Sequence, residues 1–214
     1  MMKRAHVFCI AIVVMVACGQ VFAASYGFTN ITLNDPTNAA IGETQLSMSV
    51  FDHGSQALFE FYNIGEEACS ITQIYFDDSV LSLLDSIAYI DDSDPGVSFS
   101  EGASPPNLPG RNAVGGFTVS FSISPDAPTQ PNGVNPDETV GIMFNLGSTS
   151  SFNELITGVN HADLRVGMHV QGFESGGSES YIHVINSAPM PATAWLGAAL
   201  LLATLARRRP TRRP

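Results

Sequence analysis

The chain has 214 residues, a length that suits one domain flanked by short targeting segments, and it carries 20 acidic and 9 basic residues. All acidic residues lie between Asp35 and Glu179, whereas residues 24–188 contain only two basic residues, Arg111 and Arg165, so this region has a formal charge of −18. Such a charge repels nucleic acids and anionic lipids, and we exclude nucleic acids as partners.

The start of the chain has the organisation of a secretory signal peptide. Lys3 and Arg4 give a positive start, residues 7–17 are apolar, and Val-Phe-Ala before residue 24 is a small-residue cleavage site. We expect a signal helix that is cleaved between Ala23 and Ala24. Two alternatives stay open: an uncleaved membrane anchor, and a lipoprotein signal in which Cys18 closes a loose lipobox.

The region between the termini alternates between apolar and polar residues, as strands with one buried face do. In residues 117–123, for example, every second residue is apolar. The predicted strands are 26–33, 46–50, 57–62, 69–76, 97–99, 117–123, 140–146, 164–171 and 181–185. Because such alternation is typical of antiparallel sheets, we predict an all-β fold: an antiparallel two-sheet sandwich of the jelly-roll kind.

Helical signals are few in this region. Residues 79–84 predict a single turn after a strand. Residues 151–159 predict a helix, because apolar residues recur at helical spacing and Ser151 with Glu154 forms a capping-box pattern at its start. Two long loops, at 103–112 and 124–138, are rich in proline.

An acidic loop is the one candidate metal site. Asp91, Asp92 and Asp94 lie within four positions and are followed by Pro95 and Gly96. Calcium binds carboxylate and carbonyl oxygens, often in such a turn, but the EF-hand spacing is missing. The alternative is an ordinary solvated turn, in which aspartate forms local backbone hydrogen bonds.

No catalytic motif is evident, and we expect no catalytic residues and no cofactor other than this candidate calcium. Cys69 is the only cysteine outside the predicted signal, so no intramolecular disulfide forms, and its strand-like surroundings predict a buried thiol. The histidines lack the spacing of a zinc site. With twenty carboxylates, a glycosidase-like acidic pair is the least favoured alternative.

The end of the chain has a distinctive order of parts. Pro189 and Pro191 precede an almost wholly apolar stretch at 192–206, which contains Trp195. Five arginines follow: Arg207, Arg208, Arg209, Arg212 and Arg213. An arginine cluster resists transfer across a bilayer, so this end predicts a short transmembrane helix with a cytoplasmic stop.

This order resembles the PEP-CTERM sorting signal, with Pro-Met-Pro in place of Pro-Glu-Pro. The resemblance implies that a membrane protease of the exosortase type cuts near the proline motif and passes the protein to the cell surface. Residues 104–110, 124–146 and 162–180 also resemble a group of uncharacterised bacterial surface proteins with such tails. That likeness implies a β-rich fold and brings no catalytic residues with it.

The sequence therefore predicts three parts: a signal peptide at 1–23, a β-sandwich domain at 24–188 and a sorting signal at 189–214. We expect a non-catalytic structural or adhesive protein of the cell surface. Its expected partners are signal peptidase, an exosortase-type protease, the inner membrane transiently and extracellular polysaccharide. The alternative is a glycan-binding or calcium-stabilised module. Its candidate aromatic residues are Tyr62, Tyr75, Tyr89 and Tyr181.

Overall fold

The computed structural model describes residues 23–185, which form a predominantly β structure with two α-helices. The strands are β1 (Ala23–Asn30), β2 (Leu46–Asp52), β3 (Gln56–Asn63), β4 (Ser70–Asp77), β5 (Leu84–Asp91), β6 (Phe99–Glu101), β7 (Phe121–Pro125), β8 (Glu138–Leu146), β9 (Arg165–Gln171) and β10 (Ser178–His183). The helices are α1 (Pro36–Gln45) and α2 (Phe152–Asn160), and Arg111–Val114 forms a short 3₁₀ helix.

All ten strands belong to one sheet in the order β5-β8-β3-β2-β1-β10-β9-β4-β7-β6, and every neighbouring pair is antiparallel. Strand β1 joins the two halves, because its residues 23–27 pair with β2 and its residues 28–30 pair with β10. The sheet nearly closes on itself. The predicted antiparallel β fold is confirmed. Because β1 is shared, the two halves are continuous at this strand.

Phenylalanine rings from both halves of the sheet meet in the core. Phe59 on β3, Phe144 on β8 and Phe76 on β4 are fully buried. Their ring centroids lie 4.8–5.7 Å apart in edge-to-face pairs. Each such pair adds about 0.5–1.5 kcal/mol beyond the burial of its rings. These contacts hold the inner faces of the two halves together.

Helix α1 packs against the sheet through small and polar residues. Asp35 caps its first turn by accepting hydrogen bonds from the backbone of Thr37 and Asn38, and Pro36 begins the helix. A Cβ at Gly42 would overlap the ring of Tyr181, so glycine permits the close approach. Because its buried side is not apolar, α1 was not predicted from periodicity.

Helix α2 matches the prediction for 151–159. The Ser151 side chain accepts from the backbone of Glu154, and the Glu154 carboxylate accepts from the backbone of Ser151, which completes the predicted capping box. Leu155 and Val159, on the side of α2 that faces the core, are fully buried. Within residues 23–185, neither helix has the length and apolar character that a bilayer crossing requires.

A second apolar layer covers the outer face of one half of the sheet. Residues 103–119, here called the covering loop, place Leu108 and Phe117 against Tyr75 of β4, and all three are buried. The Tyr75 hydroxyl donates to the backbone oxygen of Pro105 at 2.8 Å. Every residue of β4 is therefore buried, on both faces of the strand.

Candidate functional site

The predicted targeting residues fall mainly outside the described part of the chain. Ala23 begins β1, and Ala24 is the first residue with a described side chain, which is buried. Cleavage between them would remove one residue of the strand. The predicted sorting residues all lie outside the described residues: Pro189, Pro191, Trp195, Arg207, Arg208, Arg209, Arg212 and Arg213.

The acidic loop after β5 is held by its own carboxylates. Asp92 accepts a hydrogen bond from the backbone of Phe99 at 2.9 Å, and Asp94 accepts one from the backbone of Thr139 at 2.8 Å. Asp91 accepts a longer bond from Ser93 at 3.4 Å. In residues 23–185, no three acidic, histidine or cysteine side chains are grouped so as to hold a metal ion. These bonds are those of a structural turn, and calcium binding stays a prediction.

A buried ion pair ties the covering loop to the sheet. Arg165 on β9 contacts the carboxylate of Asp77, the last residue of β4, and donates to the backbone oxygen of Val114 at 3.1 Å. Its guanidinium also lies 5.3 Å from the ring centroid of Phe117. Burial alone would raise the pKa of Asp77. Hydrogen bonds from Ser79, the Thr118 backbone and Arg165 outweigh burial, so the pKa is lowered.

The neighbouring carboxylate of Asp78 has the opposite character. It is buried and accepts from the backbone of Leu84 at 2.7 Å, but its second oxygen has no partner among the described residues. Burial raises its pKa, and the nearby charge of Asp77 adds to the shift. Asp78 shapes the loop between β4 and β5, which makes one hydrogen-bonded turn where residues 79–84 were predicted to make one.

Glu179 on β10 is a buried carboxylate with its hydrogen-bonding capacity filled. It accepts from the side chains of Asn30 and Thr32 and from the backbones of Asn34 and Asp35. Burial alone would raise its pKa, but these donors lower it. The Glu179 carboxylate therefore holds the connection between β1 and α1 in place, and the contacts described for it are structural.

The buried thiol and imidazoles are likewise engaged in structure. Cys69 is 2% exposed, which confirms the predicted buried thiol, and burial raises its pKa to about 11. His183 accepts from the backbone of Val166 at 3.0 Å and lies 3.1 Å from the carbonyl oxygen of Val159. Burial lowers the pKa of both His169 and His183, so both rings are neutral at physiological pH.

Concave surface is modest. One groove, of about 470 Å³, lies between the β4–β5 loop and α2. Its lining residues are Leu81, Leu83, Thr149, Ser150, Asn153, Glu154 and Thr157. Glu154, the one ionisable side chain among them, is already bound to Ser151 in the capping box. This groove therefore offers no pair of groups for acid–base chemistry.

The four candidate tyrosines divide into two pairs. Tyr75 and Tyr181 are fully buried, and their hydroxyls donate to backbone oxygens, so these two candidates are core residues and not an exposed sugar platform. For Tyr75, packing within its strand was the alternative to sugar binding. Tyr62 on β3 and Tyr89 on β5 point to the outer face of the other half of the sheet. Tyr62 is half-buried and donates to Glu60, whereas Tyr89 is 49% exposed.

Tyr89 belongs to an apolar row across that outer face. The strand register places Phe51, Leu58, Met143 and Tyr89 side by side on β2, β3, β8 and β5, and we call them the outer apolar row. None of the four belongs to either buried cluster of the described residues, although Met143 is only 6% exposed and Phe51 and Leu58 are half-buried. At a strand spacing of about 4.8 Å, the row is about 14 Å long.

Hydrogen-bonding side chains border the outer apolar row on both sides. On one side, Gln56 donates to Asn145 at 2.8 Å, and Asn145 donates to Ser86 at 3.1 Å. On the other side, the register aligns Ser49 with Glu60. Gly141 follows in that line, and a Cβ there would lie 3.2 Å from the Leu58 side chain, so Leu58 leans over the glycine. The result is an apolar strip between two polar borders.

Sequence reasoning missed the outer apolar row, although a signal was present. Phe51, Leu58 and Met143 each occupy a position where the alternation of their strand calls for a polar residue. One such residue is unremarkable, but three neighbouring strands with the same exception define a surface feature. The strand order was needed to bring them together.

Comparison with protein-family models, curated proteins and solved structures found no match to this chain.

Proposed function

We propose that the protein is exported, sorted to the cell surface, and serves there as a structural or adhesive protein without catalytic activity. The observation that carries the proposal is the order of parts at the end of the chain: Pro189 and Pro191, the apolar stretch at 192–206, and the arginine cluster. In this proposal, signal peptidase cuts before Ala24, and an exosortase-type protease acts near the proline motif.

The chemistry of the β domain supports a non-catalytic role. Three of its buried ionisable groups are committed to internal contacts: Asp77 to Arg165, Glu179 to the β1–α1 connection, and Cys69 to a polar cluster with Gln45. The buried Asp78 keeps one carboxylate oxygen without a partner among the described residues. The acidic surface supports a location outside the cell membrane, where a high charge keeps a protein soluble and separate from anionic lipid.

The finer architecture belongs to the same proposal. The two halves of the sheet, β5-β8-β3-β2 and β10-β9-β4-β7-β6, are treated as the two layers of a sandwich, which the contact between Phe59 and Phe76 at 5.2 Å supports. The signal segment before Ala24 and the sorting segment at 192–206 are proposed as helices that engage the membrane during export.

The sorting step is tested by removing the arginine cluster. A chain that ends at Ala206 is expected to lose membrane retention of the precursor, because the cluster halts transfer. A control chain with lysine at all five arginine positions keeps the charge and is expected to be retained. Fractionation of cells with immunodetection of the precursor gives the result, and equal retention of all three chains would contradict the sorting proposal.

The mass of the protein isolated from the cell envelope tests both cleavage sites. We expect a mature protein that begins at Ala24 and ends near the proline motif. A protein that begins at Cys18 and carries lipid would establish the lipoprotein alternative. A mature protein that still reads through Ala206 would refute the proposed C-terminal cleavage.

A further inference from the structure

The outer apolar row has no structural task in the described fold. Each half of the sheet has an outer face with apolar residues, and the covering loop buries those of the β10-β9-β4 half. No described segment covers the row on the β2-β3-β8-β5 half, and Tyr89 remains 49% exposed there. Met143 is only 6% exposed, so Tyr89 and the half-buried Phe51 and Leu58 give the row its accessible apolar surface. Apolar groups that line up at a surface are a common mark of a binding site.

The form of the row limits what it can bind. Its residues follow the register across four strands, so the strip runs roughly perpendicular to the strands. A narrow apolar strip with an aromatic side chain suits a ligand that has an apolar face and polar edges. The bordering amides and hydroxyls of Gln56, Asn145 and Ser86 lie where such edges would be. A sugar chain has this combination of apolar ring faces and hydroxyl edges.

The charge of the protein around the row indicates which kind of sugar chain can bind there. Arg111 and Arg165 are the only basic residues in residues 24–188, and both are in or against the covering loop on the opposite half. The row itself is bordered by Glu60 and Asp91, so an anionic polymer would be repelled. A second copy of the domain, with a formal charge of −18, would be repelled in the same way.

We propose that the outer apolar row is a binding site for an extended neutral polysaccharide. The ring of Tyr89 and the exposed parts of Phe51 and Leu58 contact the sugar faces, and the polar borders bind the hydroxyls. This site gives the adhesive role a partner and depends on the proposed export only for where the two meet. Binding is therefore measurable on the purified chain, whatever the outcome of the sorting experiment.

Affinity electrophoresis of the full chain in mild detergent at 0.15 M NaCl tests the proposal. The gels contain hydroxyethyl cellulose, dextran or the neutral fraction of the native envelope polysaccharide, and a parallel gel contains alginate. We expect at least one neutral polymer, but not alginate, to retard the wild-type protein. Tyr89→Ala is expected to weaken binding about tenfold, which corresponds to about 1.4 kcal/mol.

Ile64→Ala is the matched control, because Ile64 is also an exposed apolar residue, at 63%, but lies outside the row. It is expected to bind as the wild type does, and Phe51→Ser is expected to weaken binding as Tyr89→Ala does. Three results would overturn the proposal: no retardation by any neutral polymer, equal retardation of Tyr89→Ala and Ile64→Ala, or alginate binding as strong as neutral binding. Sedimentation that shows a dimer lost in Tyr89→Ala would assign the row to a second copy instead.

Discussion

The two outer faces of the sheet carry similar residues with different surroundings. On the β10-β9-β4 half, Tyr75 lies beneath the covering loop and is fully buried. On the β2-β3-β8-β5 half, Tyr89 occupies the same kind of outward position and is 49% exposed. Whether an outward-facing tyrosine of a strand is buried or exposed therefore depends on whether a loop from another part of the chain covers it. The covered face contributes to stability, and the face that no described segment covers is the one proposed to bind a ligand.

The largest expected effect is on the covered face. Leu108 is 1% exposed, and one of its methyl groups lies 2.6 Å from where a Cβ of Gly167 would be, so the covering loop and the sheet fit closely. Leu108→Ala is expected to lower the free energy of unfolding by about 3–5 kcal/mol. Leu58→Ala in the outer apolar row is expected to lower it by less than about 1 kcal/mol. Urea unfolding measures both, and equal losses would erase the distinction between the faces.

The next effect concerns the ion pair that anchors the covering loop. Arg165→Met leaves the buried carboxylate of Asp77 without its cation and is expected to cost about 2–3 kcal/mol, because Arg165 is itself partly exposed. Arg111→Met is the control, since Arg111 is exposed and should change the free energy of unfolding by about 0.5 kcal/mol or less. Similar urea midpoints for the two variants would show that the ion pair does not anchor the loop.

A smaller effect concerns pH, where Asp77 and Asp78 act in opposite directions. The pKa of Asp77 is lowered, so its contribution to stability is present above the ordinary carboxyl pKa and is lost as pH falls below it. The pKa of Asp78 is raised, so its contribution is present at low pH and is lost as pH rises through its folded value. Between pH 7 and about pH 3.5, the free energy of unfolding should fall less in Asp77→Asn than in the wild type. It should fall more in Asp78→Asn than in the wild type.

Urea unfolding at both pH values measures these slopes. The comparison uses the difference between the two pH values within each variant, so a uniform destabilisation by either substitution cancels. A change of slope in the same direction for both variants would contradict the opposite assignments of the two carboxylates.

The smallest expected effect concerns calcium at the edge of the uncovered half. The Asp92 and Asp94 carboxylates already accept backbone hydrogen bonds, so we expect millimolar calcium to change the melting temperature no more than sodium at matched ionic strength. Asp92→Asn/Asp94→Asn should respond to the two salts equally. A calcium-specific rise in the wild type that the double variant lacks would establish the site, with a gain near 2.7 kcal/mol at about 100 times Kd.

Alternation predicted the strands whose inner faces meet in the core. The alternation of β3 and β8 is regular, because these two strands pair with each other without a bulge. β3 also pairs without a bulge with β2 on its other side. Strand β5 was missed because Asp85 and Ala88 bulge out of the ladder, which brings Leu84, Ile87 and Ile90 inward at a spacing of three rather than two. Local periodicity cannot distinguish such a strand from a helical segment.

The predicted strand at 117–123 shows a second limit of prediction from alternation, which concerns where a strand begins. Only Phe121–Pro125 forms β7, because the backbone of Thr118 donates to the Asp77 carboxylate and that of Ser120 donates to Phe76. Residues 117–120 therefore close the covering loop. Helix α2 was predictable because its capping box lies within four residues. The outer apolar row was not predictable, because it depends on which strands are neighbours.

The shared strand β1 also sets the order in which the domain can assemble. Its second half pairs with β10, so Phe28 lies opposite His183, and the first and last strands of the domain are direct neighbours. Such a contact closes a loop that contains nearly the whole domain, and pairings of that length form late and slowly. If the chain crosses a membrane from its N-terminus, as proposed, β10 emerges last. In that case the pairing of β1 with β10 forms only after the whole domain has been translocated.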